Sequence, residues 1–524
     1  MSDLLQIRVS PEIGYDAEKL RQFLLAHHQI KADQYFKLVK RSIDARGFDI
    51  KINLSIDFSE SPSGDESHGA YFSRLQNVKQ AEEVHIIGAG PAGLYAALML
   101  IELGLKPIII ERGKDVRARR RDLALLNKQH IINPDSNYCF GEGGAGTYSD
   151  GKLYTRSVKR GNIKRILEIF FAHGAKQEIL IDTHPHIGTN KLPGIITSMR
   201  ETIIAHGGEV HFEKKLDDFE IVDNKIRNLL LSDGTKIPVN QVILATGHSA
   251  RDIFHLLHRK NIAIEFKPFA LGLRIEHPQD LIDQIQYHCD SRGNYLPPAA
   301  YSLVSQVNQR GVFSFCMCPG GIVAPCATAP GEVVVNGWSP SKRNNPFANS
   351  GIVTEIRWDD VKSFQNGSPL SGLQFQAAIE QLACQSAGGN QTAPAQRLVD
   401  FVDNRLSSSL PQTSYQPGIA SVRLKEILPD FVNASLKQAF KNFGKKMKGY
   451  YTNEAVLHGV ESRTSSPVRI PRDAEHLHHP QISNLYPCGE GAGYAGGIVS
   501  AAMDGQKIAE RIGIKLNKFG DYHA

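Results

Sequence analysis

Val84-His-Ile-Ile87, then Gly88-Ala-Gly90-Pro-Ala-Gly93, then Leu94 to Leu103, then Lys106-Pro-Ile-Ile-Ile110-Glu111: this run decides the fold. A short apolar strand runs into GxGxxG, an apolar helix follows, and Gly104 supplies its C-terminal cap. A second apolar strand then ends on an acid 23 positions after Gly88. Gly88 permits the tight turn. Gly90, with Pro91 and Ala92, lets backbone approach a pyrophosphate, and Gly93 lets helix and strand pack closely. The helix N-terminus offers free N–H groups and partial positive charge to phosphates. Glu111 is placed to accept hydrogen bonds from an adenosine ribose, with Arg112 beside it. The expected class is α/β with a dinucleotide-binding, Rossmann-like domain.

Two more glycine loops extend the pattern. From Gly141 to Gly151, five of eleven residues are glycine, and Gly143, Gly144, Ala145, Gly146, Ser149, Asp150 and Lys152 are the cofactor-binding candidates there. So many small residues suit a backbone lying flat against a planar ligand or phosphates. Near the C-terminus, Gly489-Glu490-Gly491-Ala-Gly493-Tyr-Ala-Gly496-Gly497 leads into a helix from Ile498 to about Ile512. This also spells GxGxxG, but no strand with a terminal acid follows it. It reads better as a terminal flavin motif. Glu490 would serve the ribityl or pyrophosphate region, and the helix N-terminus would favour negative charge on the flavin ring. Gln241 to Leu244 is an apolar strand running into Ala245-Thr246-Gly247. These features favour FAD over NAD, and only one complete βαβ unit of this type is visible.

Composition agrees. The 524-residue chain has 46 glycines, where an average share of roughly 7% gives about 37. The loops and the start of the last helix hold the excess. With 41% hydrophobic and 22% charged residues it is neither disordered nor fibrous, and a net charge of +6 names no partner. A nucleic-acid partner is not expected, and the oligomeric state is not fixed by the sequence. The N-terminus has no signal pattern. The long apolar stretch Val84 to Ile110 is interrupted by glycines, Pro91, Glu102 and Lys106, so no membrane span is expected. Seven scattered cysteines make no disulfide framework. These features point to a cytoplasmic protein.

Four segments are expected. Residues 1–78 form an N-terminal α+β, ferredoxin-like domain, with a strand from Leu4 to Val9, a helix from Tyr15 to His28, and a half-buried strand marked by the alternation Ile50, Ile52, Leu54, Ile56, Phe58. Ser59 to Ser67 reads as a polar linker. Residues 79–260 and 466–524 form the two segments of the FAD-binding domain, and 261–465 an inserted α+β substrate domain.

The chain resembles the glutathione-reductase-type FAD superfamily, and more closely a bacterial family of FAD-dependent dehydrogenases. The motifs that carry this are Gly88–Gly93 with Glu111-Arg-Gly113, Gly141–Lys152, His184-Pro-His-Ile-Gly188, Ala245–Asp252, Lys267-Pro-Phe with Arg274-Ile-Glu-His277, Phe315–Gly321, Asn336-Gly337, Glu461–Pro467, Gly489–Gly497 and Arg41–Arg46. The resemblance implies FAD and a two-segment cofactor domain, and by it Arg119 would contact the FAD phosphates. It implies no particular substrate.

For the chemistry, Lys267, Arg274, Glu276, His277, Arg463 and Ser465 are grouped as residues that would face a substrate pocket, and the two arginines would suit an anionic small molecule. Cys316 and Cys318, two apart in a strand-like run, suggest a redox pair or a thiol near the flavin. With i and i+2 about 6.6–6.8 Å apart, a bridge would need a local bend. Cys139 stands alone where a flavin disulfide reductase would carry a Cys-x4-Cys pair. No metal is expected at His184 and His186. The lysines 441, 445, 446 and 448 read as a solvated face. The function favoured is an FAD-dependent oxidoreductase passing hydride through flavin N5, with NADH or NADPH as a transient reductant. Its rivals are a flavin monooxygenase, and a non-enzymatic FAD-binding module that meets a nucleic acid or protein through residues 1–58.

Overall fold

Five short apolar strands, Glu83–Ile87, Lys106–Ile110, Glu209–His211, Val242–Leu244 and Leu485–Pro487, form one sheet that is parallel throughout. The computed structural model describes residues 4–28, 30–31, 34–47, 49–59, 66–155 and 161–518. In chain order these strands lie third, second, first, fourth, fifth across the sheet. Such a sheet has a topological switch point between its first and fourth strands, where a crevice opens at their carboxyl ends. The glycine turn Gly88–Gly93 leaves the first strand there.

Helix Pro91–Glu102 is apolar almost all round and correspondingly buried. It lies against the C-terminal helix Ile498–Lys515, and the two approach so closely that a Cβ on Gly505 would stand 2.1 Å from the Ala92 carbonyl oxygen. On the crossover between the third and fourth strands sits an antiparallel meander, Leu216–Val222, Lys225–Leu231 and Lys236–Pro238. Its first turn uses Asp223 and Asn224, both at positive φ, as a two-residue hairpin requires.

The chain enters and leaves the insert through a two-stranded ribbon, Glu265–Phe266 paired with Val468–Arg469. The insert holds a seven-stranded mixed sheet in the order Val304–Val307, Arg310–Cys318, Phe347–Ile356, Phe269–Pro278, Val456–Glu461, Ala393–Arg397, Ile419–Ser421. Its central strand alternates: Phe269, Leu271, Leu273 and Ile275 enter the apolar core, and Arg274 and Glu276 point to the opposite face. Helices Gln279–Tyr287 and Asp430–Lys446 pack on this sheet. In the latter, Phe443 and the following Met447 are buried, whereas Lys441, Lys445, Lys446 and Lys448 are exposed.

The N-terminal unit has strands Leu5–Val9, Tyr35–Asp44 and Lys51–Ser59, ordered first, third, second and antiparallel between neighbours. That supplies three of the four strands of the ferredoxin-like arrangement expected; among the described residues no fourth strand completes it. The expected helix from Tyr15 begins instead at Ala17, because the Asp16 carboxylate caps the N–H groups of Glu18 and Lys19. Residues 60–65 of the expected linker lie outside the described residues. Helix Glu66–Phe72, assigned above to the N-terminal domain, packs instead on helix Ile163–Ala172 of the nucleotide-binding part, with Tyr71 and Phe72 both edge-on to His173. The N-terminal sheet shares its core with the insert. It is also held by Arg41, which pairs with Asp182 at 2.7 Å, exchanges backbone hydrogen bonds with Ile181 and Thr183, and stacks on Tyr15.

No helix among the described residues is long and apolar enough to cross a membrane. The close crossing at Gly505 gives a first test. Gly505→Ala is expected to force the two helices apart and destabilise the protein by about 1–3 kcal/mol. A chemical-denaturation midpoint equal to that of the parent would show that the helices do not meet there.

Candidate functional site

Four segments far apart in sequence meet at the switch point, and missing side chains let them do so. A Cβ on Gly88 would lie 2.5 Å from the Ala245 carbonyl oxygen, and one on Gly491 2.5 Å from the Gly247 carbonyl oxygen. One on Gly144 would lie 3.1 Å from the Cα of Gly90, and one on Gly489 2.9 Å from the Ala92 Cβ. Gly146 stands between Pro91 and Ile498, the first residues of the two long helices. Neither helix has a side-chain cap; their N-cap residues are Gly90 and Gly497. By contrast, Gly247, Gly496 and Gly497 face open space. Two uncapped helix N-termini beside bare backbone form a fitting cradle for a dinucleotide's phosphates and flavin.

The polar residues around this cradle work differently from expectation. Glu111 is buried, and its carboxylate accepts from the N–H groups of Ala89 (2.8 Å), Gly113 (2.8 Å) and Gly141 (3.0 Å). About four acceptor positions exist on a carboxylate, so at most one is left for a ribose. Arg119 does not reach toward a phosphate. It is wholly buried and donates to the carbonyls of Asn137, Glu142 and Gly144 at 2.7–2.8 Å, with its plane over Tyr148. It shapes the second glycine loop from behind. Arg112 is committed to Asp252 and stacks on Phe140. Glu142, which sequence reasoning missed, accepts from the Val116 N–H at 2.7 Å and pairs with Arg200 at 3.0 Å.

The third loop is braced by Asp504, also missed. It accepts from the Gly489 N–H at 2.8 Å and pairs with Arg472, which lies on the ring of Tyr494. An acid in the apolar last helix was its only sequence signal. Glu490 is half-buried in this loop. Burial pushes its carboxyl up to about 7, against the pull of the Lys267 charge.

On the insert side, the structure separates residues that the sequence grouped. Arg274 is fully buried. It forms a two-pronged pair with Glu461 (2.7 and 3.1 Å), and donates to Asn349 at 2.7 Å and Asn336 at 3.0 Å. Arg463 is equally spent: Glu332 and Glu380 each stand 2.8 Å from it, and Arg251 of the nucleotide-binding part bridges the same two carboxylates. Burial alone would raise the Glu380 carboxyl, but the two arginines outweigh it and hold it low. Neither expected arginine is free to take a substrate. His277 lies on the other face of its strand from Arg274 and bonds to the Tyr450 carbonyl at 2.9 Å; burial holds its imidazole down at about 4. Glu276 binds Ser414. Lys267 and Ser465 are half-buried.

Cys316 and Cys318 do not share a regular strand face. The ladder shifts register between Phe315 and Cys318, Cys316 takes φ 44°, and both thiols are free, Cys316 exposed and Cys318 buried. Lys152 turns from the second loop toward this bulge: its ammonium donates to the Met317 carbonyl and stands 3.7 Å from Cys318 Sγ. Ser149 Oγ donates to the Gly146 carbonyl, Asp150 pairs with Arg343 at 3.1 Å, and Ala145 stays exposed. His186 bonds to the Ser341 carbonyl through its ring Nε2.

Over 493 residues the chain is 42% identical to an uncharacterized protein of Clostridium beijerinckii, an alignment spanning 91% of each chain. The two belong to one family. Residues 81–129 match an FAD binding domain, 268–464 a domain described as FAD-dependent protein, C-terminal domain-like, and 1–59 a domain of unknown function. An FAD-binding domain is therefore part of the chain, although the matched FAD group is not the glutathione-reductase type that the motifs resemble. Among solved structures, 2,6-dihydroxypyridine-3-hydroxylase from Arthrobacter nicotinovorans aligns at 10% identity and TM-score 0.38, over 84% of this chain and 86% of that one. Glycine oxidase from Bacillus cereus aligns at 13% and 0.31, over 83% and 95%. Likenesses this slight carry no argument.

Two outcomes are expected. Removing either partner of the buried pair, by Arg274→Met or Glu461→Gln, should cost about 3–5 kcal/mol, because an uncompensated charge or an orphaned donor remains. The double variant should cost less than the sum, as a double-mutant cycle in denaturant would read, and strict additivity would refute the pairing. For Glu490 the sign follows from a folded pKa above its ordinary 4.5. The folded state holds the proton more tightly, so this group's contribution to stability is present at low pH and lost as pH rises from about 4.5 through about 7. In ligand-free protein, the stability of the parent relative to Glu490→Gln should fall across that window. Parallel pH profiles would count against it.

Proposed function

We propose that the chain is an FAD-dependent oxidoreductase whose cofactor domain is built from residues 79–260 and 466–524. The observation that supports this most is the convergence of the glycine loops at the switch point, with two helix N-termini left uncapped beside bare backbone. The N–H groups of Gly90, Ala92 and Gly93 would hold the pyrophosphate. Those opening helix Ile498–Lys515 would favour negative charge on the flavin ring. FAD so bound would supply a two-electron centre at N5. Around it, Glu111, Arg119 and Asp504 hold the cradle in shape, and the insert closes over it and supplies the substrate side. NADH or NADPH would visit as reductant without a nucleotide domain of its own, since the described residues contain one parallel sheet of this type.

The purified protein is expected to be yellow, with the two-band visible spectrum of bound flavin, and to bleach when NADH or NADPH is added without oxygen. A colourless protein that takes up no added FAD would overturn the cofactor reading. Substrate hydroxylation or rapid peroxide formation on admitting air would move the assignment to a monooxygenase. A flavin inert to both nucleotides would point to a non-enzymatic, FAD-binding role.

A further inference from the structure

The second glycine loop does not stop at the cofactor cradle. Its last residues run on to the seam with the insert, where the Gly188 N–H donates to the Asp150 carbonyl, Lys152 pairs as an isolated bridge with His186, and the Lys152 ammonium reaches the Met317 carbonyl. Cys316 lies here too and is exposed. The groups that the Lys152 ammonium touches, Met317, Cys318 and Asp150, are all buried, so the solvent-reached thiol and ammonium open from a recess in the seam. The Lys152 side chain is 34% exposed into the same region.

The charges around this recess do not cancel. Arg274 and Glu461 neutralise each other at 2.7 Å. Asp150 bonds to Arg343 at 3.1 Å and stands 3.8 Å from Lys152, beyond hydrogen-bond reach. His186 adds no charge, because burial and the nearby Arg343 hold it at about 4. Asp150 is therefore shared between two cations, Arg343 at 3.1 Å and Lys152 at 3.8 Å, and the cluster keeps one positive charge in excess. Beside it, Arg343 Nε is buried without a hydrogen-bond partner. An ammonium so placed gains most from an anion that brings a full charge into a poorly solvated space.

We infer that this recess binds the carboxylate of a small organic substrate, with Lys152 as its anchoring cation and Arg343 beside it. The anion role expected of Arg274 and Arg463 thus passes to two residues of the seam. As a statement about substrate, the inference rests on the oxidoreductase reading; as a statement about the recess, it does not.

Cys316 is a built-in reporter. Flavin-loaded protein would be treated in parallel with iodoacetate and iodoacetamide, which differ in charge and form the same kind of thioether with loss of iodide. Modification at Cys316 would be read by peptide mass spectrometry. The iodoacetate-to-iodoacetamide rate ratio at Cys316 is expected to exceed that of 2-mercaptoethanol, a thiol with no other charge, in the same tube about fivefold. It should fall to the free-thiol value in Lys152→Met and recover in Lys152→Arg. Any change in the thiol's own acidity affects both reagents alike and leaves the ratio untouched. Benzoate should slow labelling and perturb the flavin absorption, whereas benzamide should do neither. A parent ratio equal to that of 2-mercaptoethanol, a ratio indifferent to Lys152→Met, or protection by benzamide equal to that by benzoate would overturn the inference. A charge preference in protein that binds no flavin would sink the oxidoreductase reading and leave the recess standing. A flavin reduced by NADH or NADPH with no charge preference would do the reverse.

Discussion

The Glu111 carboxylate joins three backbone segments through one acid, and the cradle depends on it. A surface meant to lie against a large flat ligand has to be almost free of side chains, so it has nothing of its own to pack with. Its order must come from behind. Glu111 draws together Ala89, Gly113 and Gly141. Arg119 does the complementary work, gathering three carbonyls around the second loop. Asp504 does the same for the third loop through Gly489. Each is a charged group bonded to backbone in a buried setting, where such bonds are stronger than between neutral partners. The glycines provide access, and the buried charges provide shape.

This division of labour explains what was legible in the sequence. The strand, glycine turn, helix and second strand of residues 84–111 could be read because each rests on local chemistry: apolar runs, positive-φ turns, close approach. The third loop could be read for the same reason. The roles of Glu111 and Arg119 could not. A charged residue beside a cofactor motif looks the same in sequence whether it faces the ligand or faces away, and the partners of Arg119 are backbone carbonyls that leave no sequence signature.

The insert shows the same limit at longer range. Arg274 finds Glu461 across 187 positions, and Arg463 finds Glu332 across 131. Only the pairing of strands brings them together, so free arginines were expected where buried pairs exist. One correction lay within reach of the sequence alone. In Phe269–Pro278 the alternation of apolar and polar residues already places His277 opposite Arg274, so the two never belonged to one pocket. The bulge at Cys316 had no such signal: a residue other than glycine at φ 44° is not announced by its neighbours.

Boundaries drawn along the chain also differ from those drawn by cores. The N-terminal sheet and the insert share one apolar core although some 200 residues separate them, and helix Glu66–Phe72 belongs with the nucleotide-binding part. This arrangement has a consequence for where chemistry is placed. The insert's sheet spends its apolar face on helices and on the N-terminal unit, and the arginines on its other side are matched by acids. Arg274 pairs with Glu461, and Arg463, together with Arg251 from the nucleotide-binding part, meets Glu332 and Glu380, so these groups leave no spare positive charge there. A wall so matched gives no purchase to an anionic substrate. The unbalanced charge has to come from the opposite side of the seam, and Lys152, at the end of the loop whose other end rests against the dinucleotide turn, brings it there.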